Sequence, residues 1–88
     1  MTITNAGVTP REITVAVGGR VLFVNNDMFA HDIAGGPDPS RPDCLEINEA
    51  GFLAPGQSRQ TAPLPGPRVC EFHDHAHFAH VFGRIVIQ

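Results

Sequence analysis

Residues 69–83, with the sequence VCEFHDHAHFAHVFG, contain one of the two cysteines and four of the five histidines of this 88-residue chain. Short β-type runs lead into this stretch at residues 68–72 and out of it at residues 84–87. A loop whose two ends are fixed by strands can hold its side chains rigidly. The fifth histidine, His31, lies far upstream and follows another strand-like run. A thiolate and imidazoles from two loops form a ligand set that copper and zinc prefer, so the stretch predicts a metal site.

The size and charge of the chain narrow the choice of function. A chain of 88 residues is expected to form a single domain, residues 1–88, and small domains often need a disulfide or a metal for stability. The net charge is −3, and the six basic residues are scattered arginines, so binding to nucleic acid is not expected. No apolar run is long enough to span a membrane, and no signal peptide is visible.

The pattern of apolar residues favours an all-β fold. Residues 11–17 alternate between apolar and polar positions, which is the period of a half-buried strand. Residues 21–24 are all apolar, which suits a strand buried on both faces. Gly18-Gly19 lies between these runs and predicts a tight turn, so the two runs are expected to form a hairpin. Frequent Gly and Pro elsewhere divide the chain into about seven short strands, typical of a small β-sandwich or barrel.

Three groups of residues together resemble a known family, the cupredoxins, which are small blue-copper proteins such as plastocyanin, amicyanin and azurin. The resemblance covers nearly the whole chain and implies a cupredoxin-like Greek-key β-sandwich. The matching residues are Gly19, Val21, Phe23, Asn25, Asp27 and His31 near the first half of the chain, Leu53-Ala54-Pro55-Gly56 in the middle, and Cys70, His73, Gly83, Ile85 and Ile87 near the end.

By this resemblance one copper ion would be bound by His31, by the thiolate of Cys70 and by a loop histidine. His73 has the plastocyanin-like spacing from Cys70, and His75 has the azurin-like spacing, so both are predicted ligands. The family usually places a weak axial methionine where this chain has Val81. The axial position is therefore open between His75, His80, the region of Val81 and no ligand.

The second cysteine, Cys44, leaves three alternatives open: a disulfide with Cys70, a second thiolate ligand, or a free buried cysteine. We favour a cysteine that does not bind the metal. A disulfide with Cys70 would remove the copper thiolate. Asp32 follows His31, where the family often has an asparagine that ties the two ligand loops together.

The resemblance implies one-electron transfer to a redox protein that docks over the histidine loop, in a periplasmic or extracellular setting, without enzymatic activity. Three other functions remain open at this point. The missing methionine and the surplus histidines suit copper storage, delivery or sensing. A site with an open position suits a small copper enzyme. A disulfide between the cysteines suits a stapled domain without a metal.

Overall fold

The computed structural model describes residues 1–36, 44–76 and 79–88 of the chain. The Gly/Pro-rich segment 37–43 lies outside the described residues, as do His77 and Phe78 of the histidine-rich stretch. The described part forms short strands and one 3₁₀ helix. Their bounds are β1 Thr2–Thr4, β2 Gly7–Thr9, β3 Glu12–Val15, β4 Leu22–Asn25, β5 His31–Gly35, the 3₁₀ helix Leu45–Glu49, β6 Gly51–Leu53, β7 Ser58–Gln60, β8 Arg68–Asp74 and β9 Phe82–Ile87.

The strands form two sheets that face each other. One sheet has the order β2-β1-β4-β7, and the other has the order β3-β9-β8-β5-β6. Most neighbours are antiparallel, but β1 runs parallel to β4 and β3 runs parallel to β9. The predicted all-β sandwich is confirmed, with nine strands in the described residues where the sequence predicts about seven.

The predicted hairpin around Gly18-Gly19 is wrong. β3 pairs with β9 in one sheet, whereas β4 pairs with β1 and β7 in the other sheet. The turn still forms, and its two glycines exchange backbone hydrogen bonds with Leu64. A turn signal fixes where the chain reverses but not which strand the next segment joins. β4 is also not buried on both faces, because Leu22 is exposed and Phe23 is buried.

The core lies between the two sheets and is continuous with the 3₁₀ helix. The rings of Phe23 and Phe72 meet edge to face across the sandwich, with their centroids 5.0 Å apart. Cys44, which directly precedes the 3₁₀ helix, forms a disulfide with Cys70 in the middle of β8. Both sulfurs are buried in this core, so the bond fastens the helical segment to the central strand.

Gly83 in β9 lies where two other parts of the chain come very close. A methyl group at this position would collide with the backbone carbonyl of Arg11 and with the ring of Phe72. Arg84 donates its backbone N–H to the same carbonyl at 2.8 Å. The guanidinium of Arg11 in turn lies over the ring of Phe82, 4.6 Å from its centroid. Glycine is therefore required for the contact between β9, Phe72 and the start of β3.

We expect Gly83→Ala to lower the free energy of unfolding by about 1–3 kcal/mol, because the added methyl overpacks a rigid site. Urea unfolding measures this change. Far-UV circular dichroism is the suitable signal, because the chain has no Trp or Tyr to report unfolding by fluorescence. Gln60→Ala, at an exposed position in β7, is the control and should change stability by less than about 0.5 kcal/mol. Equal stability of the two variants would contradict the close approach at Gly83.

Candidate metal centre

The predicted ligand histidines lie on opposite faces of the five-stranded sheet. Side chains alternate between the two faces along a strand, and residues paired across strands share a face. Ile33 pairs with Asp74 and Ala34 pairs with His73 between β5 and β8. His31 therefore shares the inner face with Ile33 and Asp74, whereas His73 points to the outer face. His75 lies in the turn after β8, its ring centroid is 6.2 Å from that of His73, and its backbone N–H donates to the carbonyl of Asp32 at 2.7 Å.

The structure does not support Cys70 as a thiolate ligand. Its sulfur is bonded to Cys44, and a disulfide sulfur has no thiolate to offer a metal. Register adds a second reason. His31 lies beyond Ile33, which pairs with Asp74 at the end of β8, whereas Cys70 lies four residues before Asp74, roughly 13 Å back along the strand. Reduction of the disulfide alone would not bring this sulfur to His31.

The group that faces His31 is Asp74, at the end of β8. A carboxylate oxygen of Asp74 lies within hydrogen-bonding reach of Nδ1 of His31, and both side chains are fully buried. The other oxygen, Oδ1, accepts backbone hydrogen bonds from Asp32 at 3.0 Å and from Ala76 at 2.8 Å. Two fixed N–H donors therefore hold the carboxylate in place against the imidazole.

A second carboxylate, that of Asp27, meets the other nitrogen of the same imidazole. Nε2 of His31 lies 2.8 Å from Oδ2 of Asp27. Asp27 is itself held by the turn after β4, since its N–H donates to the side chain of Asn25 and its Oδ1 accepts from the N–H of Met28. The hydrogen bond with His31 is the main reason that the pKa of Asp27 is lowered, while burial acts in the opposite direction. His31 is thus clamped between two carboxylates.

His80 and Val81 occupy different surroundings. The charge of His80 contributes to lowering the pKa of Asp27, so this ring acts on the same corner as His31. Val81, which takes the place of the expected axial methionine, is almost fully buried in the hydrophobic core. Its backbone carbonyl accepts from the N–H of Asp74 at 3.1 Å. Of the axial candidates, Val81 brings only a hydrocarbon side chain, and His80 brings a donor atom.

Sequence reasoning missed Asp27 and Asp74 as partners of His31. The sequence around Asp27 predicts a turn, and the sequence around Asp74 predicts a loop carboxylate among histidines. Strand alternation could have found Asp74, since it places this residue on the same inner face as Cys70 and Phe72. A buried carboxylate needs a partner. Asp32 does tie the two segments together, through its backbone N–H to Asp74 and its carbonyl to His75.

The described ranges contain no group of three or more His, Cys, Asp or Glu side chains already placed to hold a metal ion. The pre-arranged donors at the inner corner are the Nδ1 nitrogen of His31 and the carboxylate of Asp74. A carboxylate and an imidazole are donors for Cu(II) and Zn(II), and the buried proton between them is what a metal ion would replace. The corner therefore fits a metal with nitrogen and oxygen ligands, and it does not fit a copper–thiolate site.

No family model matches this sequence. No curated protein matches it in sequence either. Solved structures do match. A novel purple cupredoxin from Nitrosopumilus maritimus superposes with a TM-score of 0.73 at 18% identity, covering 91% of this chain and 80% of that one. Reduced auracyanin from Roseiflexus castenholzii gives a TM-score of 0.66 at 24% identity, covering 99% and 94% of the two chains. A Cu(I) form of an amicyanin variant gives 0.69 at 15% identity, covering 100% and 81%.

These similarities establish the fold of the chain. The chain has the cupredoxin fold over nearly its whole length, so the resemblance predicted from the sequence motifs is confirmed at the level of the fold. Identities of 14–24% extend no further than the fold itself. No helix in the described part of the chain is long and apolar enough to cross a membrane.

Unfolded protein that has not been reduced should contain no reactive thiol, and reduction should release two. The cross-link closes a chain segment of 26 residues, so the Cys44→Ala/Cys70→Ala double variant should be less stable by roughly 3 kcal/mol. A thiol-reactive dye counts the thiols, and urea unfolding measures the stability. Two thiols in the non-reduced protein would overturn the disulfide.

Acid should weaken the metal-free fold through Asp27. Because the pKa of this carboxyl is lower in the folded chain, its stabilisation is complete above the ordinary Asp value of about 3.9 and is lost as the pH falls through the lowered value. Unfolding measured in the presence of a chelator from about pH 6 to pH 2 should show this acid limb. Asp27→Asn should flatten this loss of stability at low pH, whereas Asp32→Asn should not. Parallel acid limbs for wild type and Asp27→Asn would contradict the pairing with His31.

Proposed function

We propose that this chain binds one copper ion at the inner corner of the sandwich, with His31 and the carboxylate of Asp74 as ligands. The role that this site supports best is binding of copper for storage or delivery rather than blue-copper electron transfer. The observation that carries the proposal is the fully buried contact between Nδ1 of His31 and the carboxylate of Asp74. The fold supports the choice of copper, since a Cu(I) amicyanin variant is among the similar structures.

The position of Asp74 gives the proposal its chemistry. It lies at the end of β8, directly opposite the strand that carries His31, where the next segment of chain begins. The resemblance implies an anionic sulfur ligand beside His31, and the group beside His31 in this chain is the carboxylate of Asp74, whose oxygen could serve as the anionic ligand. Nitrogen and oxygen donors favour tetragonal Cu(II). His80, which acts electrostatically on Asp27, is the next imidazole that could complete the site.

Because of the disulfide, we rank electron transfer below copper storage or delivery as the proposed function. A copper–thiolate bond supplies the strong covalency of blue-copper centres, and Cys70 has no thiolate in this structure. A carboxylate binds Cu(II) more strongly than a thioether does, which stabilises the oxidised ion and lowers its reduction potential. A redox protein docking at the histidine loop belongs to the electron-transfer alternative. For storage or delivery, the partner would be a protein that donates or accepts copper, and the chain itself would not be an enzyme.

The disulfide also supports an oxidising compartment. Such bonds persist in periplasmic and extracellular proteins and are rare where thiols are kept reduced. Cys44 and Cys70 are both buried, which protects the bond from reductants. We therefore propose a periplasmic or extracellular location, as the sequence resemblance also implies.

The test is a titration of the chelator-treated protein with Cu(II), followed by visible absorption, electron paramagnetic resonance and ¹H–¹⁵N nuclear magnetic resonance (NMR). We expect weak absorption without an intense sulfur-to-copper band, and the wide hyperfine splitting of a tetragonal ion. Paramagnetic broadening should begin at Asp27, His31 and Asp74. Asp74→Asn keeps the shape of the side chain and should weaken this binding by roughly tenfold or more, because the charged ligand is lost.

Asp32→Asn is the matched control, since it removes a neighbouring carboxylate from the opposite face of the sheet. It should leave the binding at His31 unchanged. If Cu(II) still broadened the His31 signals to the same extent in Asp74→Asn, the proposed ligand pair would be wrong. An intense charge-transfer band that disappears in Cys70→Ala would restore the blue-copper interpretation.

A further inference from the structure

His73 is a buried histidine that the inner corner does not use. It lies in β8, one residue before Asp74, and its side chain points to the outer face of the sheet. The residue is only 8% exposed. Nδ1 of His73 lies 2.8 Å from the backbone carbonyl of Gly36 in a buried hydrogen bond. The ring is therefore held by a strand on one side and by a fixed carbonyl on the other.

The carbonyl of Gly36 decides the tautomer of this ring. A carbonyl oxygen accepts hydrogen bonds only, so Nδ1 must carry the proton. In the neutral imidazole Nε2 then presents a lone pair. Nε2 of His73 is buried and has no hydrogen-bond partner in the described part of the chain. A buried polar atom without a partner destabilises the fold and calls for an explanation, such as an ion or a water molecule.

A second imidazole, that of His75, lies beside this lone pair. His75 lies in the turn directly after β8, and its ring packs beside the ring of His73. Their centroids are 6.2 Å apart, and the ring planes are tilted by 56°. His75 is exposed, whereas the ring of His73 is buried and bonded to Gly36. Two neighbouring imidazoles, one of them exposed to solvent, suit capture of an ion from solution.

We infer that His73 and His75 form a second metal site, for a zinc-like divalent transition-metal ion, on the face of the sheet opposite to His31. The arrangement of His73 is that of a metal-binding histidine, in which one nitrogen faces the ion and the other donates to a backbone carbonyl that orients the ring. Two imidazoles fit zinc, nickel and copper, and not magnesium or calcium.

The two sites are separated by the sheet itself. Asp74 points inward to His31, while His73 points outward and has the ring of His75 beside it. A single ion bound by His31, His73 and His75 together, as the resemblance implies, would have to lie on both faces at once. The structure instead divides these three histidines into one inner and two outer ligands. Metal binding at the second site therefore does not depend on copper binding at His31.

The experiment is a titration of chelator-treated protein with Zn²⁺, followed by ¹⁵N NMR of the histidine rings. Before zinc is added, His73 should show a protonated Nδ1 and an unprotonated Nε2. Zinc should shift Nε2 of His73 and the ring of His75 together, with one dissociation constant. His75→Gln should weaken zinc binding measured at His73 by roughly tenfold or more, because one of the two protein ligands is gone.

Gln60→Ala, at an exposed position in β7 of the other sheet, is the control and leaves both candidate sites intact. It should not alter the zinc response of His73. The ¹H–¹⁵N spectrum of each variant verifies that the fold is preserved. A protonated Nε2 in His73, a zinc shift confined to His75, or an unchanged affinity in His75→Gln would each overturn the second site.

Discussion

The pairing of Ile33 with Asp74 between β5 and β8 is the constraint on which the chemistry of this protein depends. It places a carboxylate against Nδ1 of His31 on the inner face of the sheet. The same register turns His73 to the outer face, where the ring of His75 lies 6.2 Å from it between centroids. A shift by a single residue would reverse every one of these directions, because side chains alternate along a strand. The register therefore divides the histidines into two separate sets.

The disulfide between Cys44 and Cys70 acts on stability and on function at once. It fastens the segment that begins the 3₁₀ helix to the central strand of a small domain, whose core is limited by its size. It also keeps Cys70 in the core beside Ile85, far along the strand from His31. The chain thus has the cupredoxin fold, while the group that faces His31 at the corner is the carboxylate of Asp74 and not a thiolate.

Several features could be predicted because they depend on local pattern. Alternation of apolar residues and frequent Gly and Pro indicated short strands, and the spacing of motifs from Gly19 to Ile87 indicated the family fold. The predicted hairpin after β3 failed, since a Gly-Gly turn does not specify which sheet receives the next strand. Cys70 with His73 looked like a ligand pair because their spacing matches the family. Spacing along the chain does not report that a strand continues to Asp74 before the loop begins.

The sequence by itself determined the all-β class, the resemblance to cupredoxins and the presence of a histidine-rich loop beside an upstream histidine. Those properties follow from residue type and from a period of two, which are local. Only the tertiary structure decided that Cys44 pairs with Cys70, that Asp27 and Asp74 clamp His31, and that His73 turns to the carbonyl of Gly36. These contacts join segments brought together by sheet register and by the closing of the core, and neither can be read from neighbours in the chain.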